Sequence, residues 1–169
     1  LGTAARIGDG RPLERVIEEI SALNGVPVLN WSPGKWSMAR GAAVRAILTH
    51  SPPHRFLVAD VAIRPRFFPE PLLLGLARRR GFKRLAGSDP FPFPGEERRI
   101  GSYGILGEAD FDFDRPAASL RRWLRSGDYR IAGRRDTVFI ALKRQVLNER
   151  ARRAARRAAA GQVDDGGSK

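Results

Sequence analysis

Cysteine is absent from this chain of 169 residues, which excludes disulfides, thiolate catalysis and Cys-ligated zinc. Histidine occurs only at His50 and His54, so the chain alone cannot supply a site with several histidine ligands. The sequence contains neither an apolar run near the roughly 20 residues of a membrane span nor a secretory signal, and we expect a cytoplasmic protein. Because the chain begins at Leu1 and its one methionine is Met38, we also expect a fragment or a processed product.

Positive charge is the most unusual feature that the sequence does have. The net charge is +13, with 31 basic residues against 18 acidic ones, and nearly all of the basic residues are arginine. The segment 143–157 contains seven basic residues and one acid, Glu149. We predict an α/β domain over 1–142, a basic helix over 143–160 and a disordered tail over 161–169. The excess of arginine over lysine has two explanations: genomic base composition or an anionic partner.

Alternating apolar and amphipathic stretches indicate parallel βα units. Short apolar runs predict strands over 26–31, 56–63 and 82–86, and a further strand over 103–106. Helical periodicity and capping residues predict helices over 11–24, from 37 to about 49, from 69 or 71 to 81, and from 114 or 116 to 127. Residues 137–142 fit either a strand or the start of the last helix. The predicted fold class is α/β, with parallel βα units that form a partial (β/α) TIM-like barrel.

Polar residues follow these strands at the positions where α/β proteins place their chemistry. Asp60 lies near the end of the second strand and Asp89 follows the third, so the pair is predicted to lie together as metal ligands or as a catalytic acid and base. Each also has a structural explanation: Asp60 could form a salt bridge with Arg64 or cap a loop, and Asp89 could cap a turn.

The remaining candidates would bind an anionic small-molecule substrate. Lys35 lies between Trp31 and Trp36, which could form walls around an anion, although the two tryptophans could also simply cover the end of the sheet. Arg64 and Tyr103 complete the predicted substrate-binding set. The charged run 96–99 is either a functional loop or a solvated cluster. His50 and His54 lie at the amino-terminal face of the predicted sheet, where a structural role is expected.

The strand that leads into Gly87-Ser88-Asp89-Pro90 resembles barrel-type metal-dependent hydrolases, namely the amidohydrolase superfamily and the PHP phosphoesterases. A longer pattern looks like an uncharacterised bacterial group of PHP-like proteins and covers roughly residues 12–150. That pattern comprises Trp31, 34–36, 40–41, 86–90 and 94–104. The resemblance implies the C-terminal half of a barrel and a divalent Zn, Mn or Fe ion. The His-x-His pair of these families is missing, which places the metal in doubt.

Three functions are compatible with these features. The first is a metal-dependent phosphoesterase or amidohydrolase that uses Asp60 and Asp89. The second is a nucleic-acid-binding module that uses residues 143–157, because arginines that neutralise phosphates release counterions. The third is a regulatory domain whose basic helix docks on an acidic partner or a membrane surface. A half-barrel would also expose a sheet edge, which a loop or a second copy of the chain would have to cover.

Overall fold

The computed structural model describes residues 5–32 and 34–164, with side chains as far as residue 154. The helices are α1 (Leu13–Ala22), α2 (Met38–His50), α3 (Leu72–Arg79), α4 (Pro116–Ser126) and α5 (Val138–Asp164). The strands are β1 (Val28–Asn30), β2 (Leu57–Val61), β3 (Arg84–Gly87), β4 (Tyr103–Leu106) and β5 (Arg130–Gly133), and a 3-10 helix spans Glu96–Arg99. Every predicted helix and strand is present, most of them shorter than predicted at the ends.

The first three strands form one parallel sheet in the order β1-β2-β3. Leu29 is opposite Val58, and Ala59 is opposite Leu85. All five residues of the central strand β2 are buried, as expected for a parallel strand that is covered on both faces. The prediction of α/β structure with parallel βα units is therefore confirmed.

Helices cover both faces of this sheet. Phe56 and Val58 share one apolar core with residues of α1, α2 and α3, whereas Leu57 and Ala59 share a second core with Leu124 of α4. This alternation follows from the two-residue period of a strand. The described strands form an open three-stranded sheet and a separate two-stranded sheet, and not a closed barrel.

β4 and β5 form a separate antiparallel pair beside β3. Its register places Tyr103 opposite Gly133 and Ile105 opposite Ile131. The sequence analysis missed β5 because Arg130 and Gly133 interrupt its short apolar pattern. Gly133 has a φ of +82°, which non-glycine residues rarely adopt.

The last helix, α5, starts at Val138, which settles the ambiguity over 137–142 in favour of a helix. Ala141 and Arg144 are buried, but all six residues from Glu149 to Ala154 are exposed. Residues 161–164 of the predicted tail are helical, and residues 165–169 lie outside the described part of the chain. Within the described residues, no helix is both long and apolar enough to cross a membrane.

Candidate functional site at the carboxyl edge of the sheet

The loops after β1 and β2 and the start of α5 meet at the carboxyl edge of the parallel sheet. Most of the candidate site residues that were predicted from the sequence lie here. The structure divides them into a buried ion pair around Asp60, a second buried network around Arg144, and an open apolar groove beside Trp31.

Asp60 forms a buried ion pair with Arg64. Its side chain is fully buried, and the Arg64 guanidinium donates to both of its oxygens, with Nε 2.8 Å from Oδ1 and Nη2 on Oδ2. The backbone N–H of Val61 donates to Oδ1 at 3.0 Å. The Tyr103 hydroxyl donates to Oδ2 at 3.2 Å. These four donors leave the carboxylate without a free coordination position.

The pKa values of its neighbours reflect this pairing. The hydrogen bond to Asp60 raises the pKa of Arg64 despite the opposing effect of burial. Burial, followed by the Asp60 charge, raises the pKa of Tyr103. Both groups therefore keep their protons and keep Asp60 saturated. The predicted roles of Asp60 in catalysis and of Arg64 and Tyr103 in substrate binding do not fit this geometry; the salt bridge weighed as the alternative is the arrangement present.

Asp89 is exposed and belongs to a different set of contacts. Its backbone adopts a φ of +46°, and its carbonyl oxygen accepts a hydrogen bond from Arg144 Nη2 at 3.0 Å. Among the side chains described, those of residues 5–32 and 34–154, no three His, Cys, Asp or Glu residues are grouped to hold a metal ion. The donor set of the described residues thus does not fit the Zn, Mn or Fe site expected from the resemblance.

Arg144 organises the second buried network. Its Nε and Nη2 donate to the Glu96 carboxylate at 3.0 and 2.5 Å, and its Nη1 donates to Asp136 Oδ2 at 2.8 Å. The guanidinium carbon also lies 4.8 Å from the centre of the Phe91 ring, within cation–π range. Arg99 donates to the other oxygen of Asp136. The network therefore ties α5 to the segments on either side of the β4–β5 pair.

Hydrogen bonds and neighbouring charges keep both Glu96 and Arg144 ionised. Burial alone would raise the pKa of Glu96, but hydrogen bonds from Arg144 and from the backbone N–H of Phe91 outweigh it and lower that pKa. Burial opposes the charge on Arg144, but its bonds to Glu96 and Asp136 prevail and raise its pKa. Arg144, Glu96 and Asp136 thus form a buried set of charges that balance one another.

Sequence reasoning missed this network because Glu96 and Arg144 each lie within a run of charged residues. Glu96 belongs to the run 96–99, which was interpreted as solvated or functional, and Arg144 belongs to the basic segment 143–157. One signal was available: Arg144 follows Ala141 at a spacing of three, so both lie on one helix face. A charge on the buried face of an amphipathic helix needs a partner.

Trp31 borders two cavities, and Trp36 borders one of them. Trp31 is 8% exposed and belongs to the core, while Trp36 is half-buried and Lys35 is exposed. One cavity of about 500 Å³ lies between both tryptophans and the starts of α2 and α3. The predicted tryptophan walls around Lys35 are therefore only partly formed, because Trp31 packs inward.

The second cavity, here called the α5 groove, has a volume of about 490 Å³. It lies between the first turns of α5 and the loops after β1 and β2. Its apolar walls are Trp31, Ile63, Pro65, Phe68, Ala141 and Leu142, and Gln145 supplies a polar amide.

Exposed arginines lie in the middle of α5. Arg150, Arg152 and Arg153 are exposed, and none of them takes part in an ion pair with another described residue. Arg64 and Arg144 differ from them in being buried and fully engaged. Comparison with protein-family models, curated proteins and solved structures found no match, so the hydrolase resemblance stays a prediction.

Proposed function

We propose that this chain binds nucleic acid without sequence preference through the exposed arginines in the middle of α5. The observation that carries the proposal is the row of exposed arginines at 150, 152 and 153 on a helix that continues to Asp164. They belong to a chain with a net charge of +13.

The chemistry of arginine supports this proposal. Guanidinium groups bind phosphate oxygens through paired N–H donors, and each phosphate that they neutralise releases counterions. Arg150 and Arg153 lie three residues apart and share one face of the helix. The side chains from Glu149 to Ala154 are all exposed, so a phosphate backbone can approach this stretch without rearrangement of the fold.

The test is a salt titration of binding. A labelled 20-base-pair duplex and a single-stranded RNA would be titrated with the chain between about 20 and 200 mM KCl and followed by fluorescence anisotropy. For the duplex, log K falls with log salt by about 0.9 for each phosphate neutralised. The triple variant Arg150→Gln/Arg152→Gln/Arg153→Gln should reduce this slope by about 2.7, because it removes three cations.

A charge-matched control separates this site from general basicity. Arg40, Arg45 and Arg79 are exposed residues of α2 and α3, and their replacement by Gln removes the same charge. The control should retain the slope of the unaltered chain. Equal loss in both triple variants, or no binding at 20 mM KCl, would overturn the proposal.

The metal-dependent hydrolase and the partial barrel remain predictions. Asp60 is saturated by Arg64 and Tyr103, so a hydrolase would need catalytic carboxylates from elsewhere. Elemental mass spectrometry of chain purified without chelator tests this directly. Near-stoichiometric Zn, Mn or Fe would revive the hydrolase hypothesis and justify a phosphoesterase screen.

A further inference from the structure

The α5 groove is an apolar surface that the described residues leave open. Phe68 is 57% exposed, Val138 is 58% exposed and Leu142 is 63% exposed. The neighbouring side chains Phe67 and Phe139 are more exposed still. Contiguous exposed apolar side chains of this size are typical of an interface.

The exposed charged residues that directly adjoin the groove wall in sequence are basic. Lys35, Arg66 and Lys143 are exposed and follow Gly34, Pro65 and Leu142 of the groove wall. Two of the nearest acids in sequence are neutralised, because Glu70 pairs with Arg84 and Asp136 pairs with Arg144, whereas Glu149 lies one helical turn beyond Gln145 and is exposed. An occupant should therefore combine aromatic or aliphatic side chains with negative charge.

The chain itself carries such a segment, here called the acidic loop, between β4 and α4. Its residues 108–114 read Glu-Ala-Asp-Phe-Asp-Phe-Asp, four acids with two aromatics. Phe113 is 85% exposed, and its ring lies against that of Phe111 with centroids 5.6 Å apart.

Hydrogen bonds hold the acidic loop in one conformation. Asp112 Oδ1 accepts the backbone N–H of Asp114 at 2.9 Å and that of Arg115 at 3.2 Å. The hydroxyl of Ser119, a buried residue of α4, accepts the N–H of Asp112 at 3.1 Å. Phe113 is thus presented outward on an ordered turn, which lowers the entropy cost of binding.

We propose that the α5 groove binds the acidic loop of a second copy of this chain, with Phe113 seated against Phe68 and Leu142. Direct pairing of two α5 helices is disfavoured because each is strongly basic, and like charges across an interface are costly. Exchange of loops between two copies brings opposite charges together at both contacts. A two-fold arrangement uses each groove once and closes the assembly as a dimer.

The association is measured by sedimentation equilibrium of the full chain from about 1 to 200 μM. Leu142→Glu places an acid in the groove, and Phe113→Ser removes the seated ring. Each should raise the dimer dissociation constant at least tenfold, and higher salt should also weaken the dimer. Leu23→Glu, an exposed apolar position after α1 at 44% exposure, is the matched control and should leave the dimer intact.

A mixture of the two defective variants gives the decisive result. The Leu142→Glu chain keeps an intact acidic loop and the Phe113→Ser chain keeps an intact groove, so one contact is restored when they are mixed. The mixture should associate more tightly than either variant alone. Circular dichroism spectra that match the unaltered chain verify that both variants fold.

Three outcomes would overturn the proposal. The first is a monomer at 200 μM in low salt. The second is a dimer that neither substitution weakens. The third is a mixture that associates no better than its components, which would mean that the loop does not enter the groove. A groove that instead takes a small apolar molecule or a foreign peptide would leave the chain monomeric and would give the first outcome.

Discussion

Replacement of Arg144 by Met should destabilise the fold more than any other removal of a basic residue from α5. The substitution keeps much of the side-chain length but removes the hydrogen bonds to Glu96 and Asp136 and the contact with Phe91. Breaking a buried ion pair from one side costs about 3–5 kcal/mol, because the other charge stays buried and unpaired. Asp136 keeps Arg99, so most of the loss comes from Glu96.

The assay is urea unfolding followed by tryptophan fluorescence at pH 7. The midpoint should fall at an unchanged m-value, which indicates a loss of stability rather than a change in compactness. Lys143→Met removes the neighbouring exposed charge and should change stability by no more than about 0.5 kcal/mol. A loss below about 1 kcal/mol for Arg144→Met would refute the description of this network as structural.

Three further changes test other parts of the structure. Glu96→Gln should destabilise the fold at pH 7. The pKa of Glu96 in the folded chain lies below its usual 4.5. The difference in unfolding free energy between the unaltered chain and the variant should therefore be complete above pH 4.5 and should disappear as the pH falls through the folded pKa. Acid unfolding curves of both proteins would show this. Asp60→Asn should cost about 3 kcal/mol or more in urea unfolding, since it leaves Arg64 unpaired, and should leave the metal content unchanged; loss of bound metal would contradict the assignment. Gly133→Ala should lower stability by at least about 1 kcal/mol, because φ is +82° and a Cβ would overlap the Ser102 carbonyl oxygen; an unaltered thermal midpoint would contradict the register of β4 and β5.

The sequence predicted the parallel sheet well because its signals are local. The runs around Val58 and Leu85 are apolar enough to be strands, and the positions of Pro71 and Gly127 fit helix ends. β5 was missed because Arg130 and Gly133 interrupt its short apolar pattern, and its partner β4 lies a whole helix away along the chain. Pairing between strands that are so far apart in sequence depends on tertiary contacts, which β-propensity alone does not predict.

The candidate site could not be predicted to the same degree. Placing Asp60 at the end of β2 was correct, but its chemistry depends on Arg64, four residues later, and on Tyr103, which comes from a different sheet. A carboxylate at a strand end looks the same in sequence whether water, a metal or an arginine meets it. Only the geometry showed that two donors from the guanidinium and one from the phenol had already occupied it.

The difference between buried, paired arginines and exposed ones also limits what the net charge says about function. Arg64 and Arg144 contribute to the total of +13, yet both are buried and balanced by carboxylates, so neither can neutralise a phosphate without unfolding its surroundings. Arg144 instead fixes the first turns of α5 to the body through Glu96 and Asp136, whereas residues 149–154 of the helix are exposed. The arginines at 150, 152 and 153 are exposed on this helix and form no ion pair with another described residue. Electrostatic binding by this chain should follow those few positions rather than its overall charge.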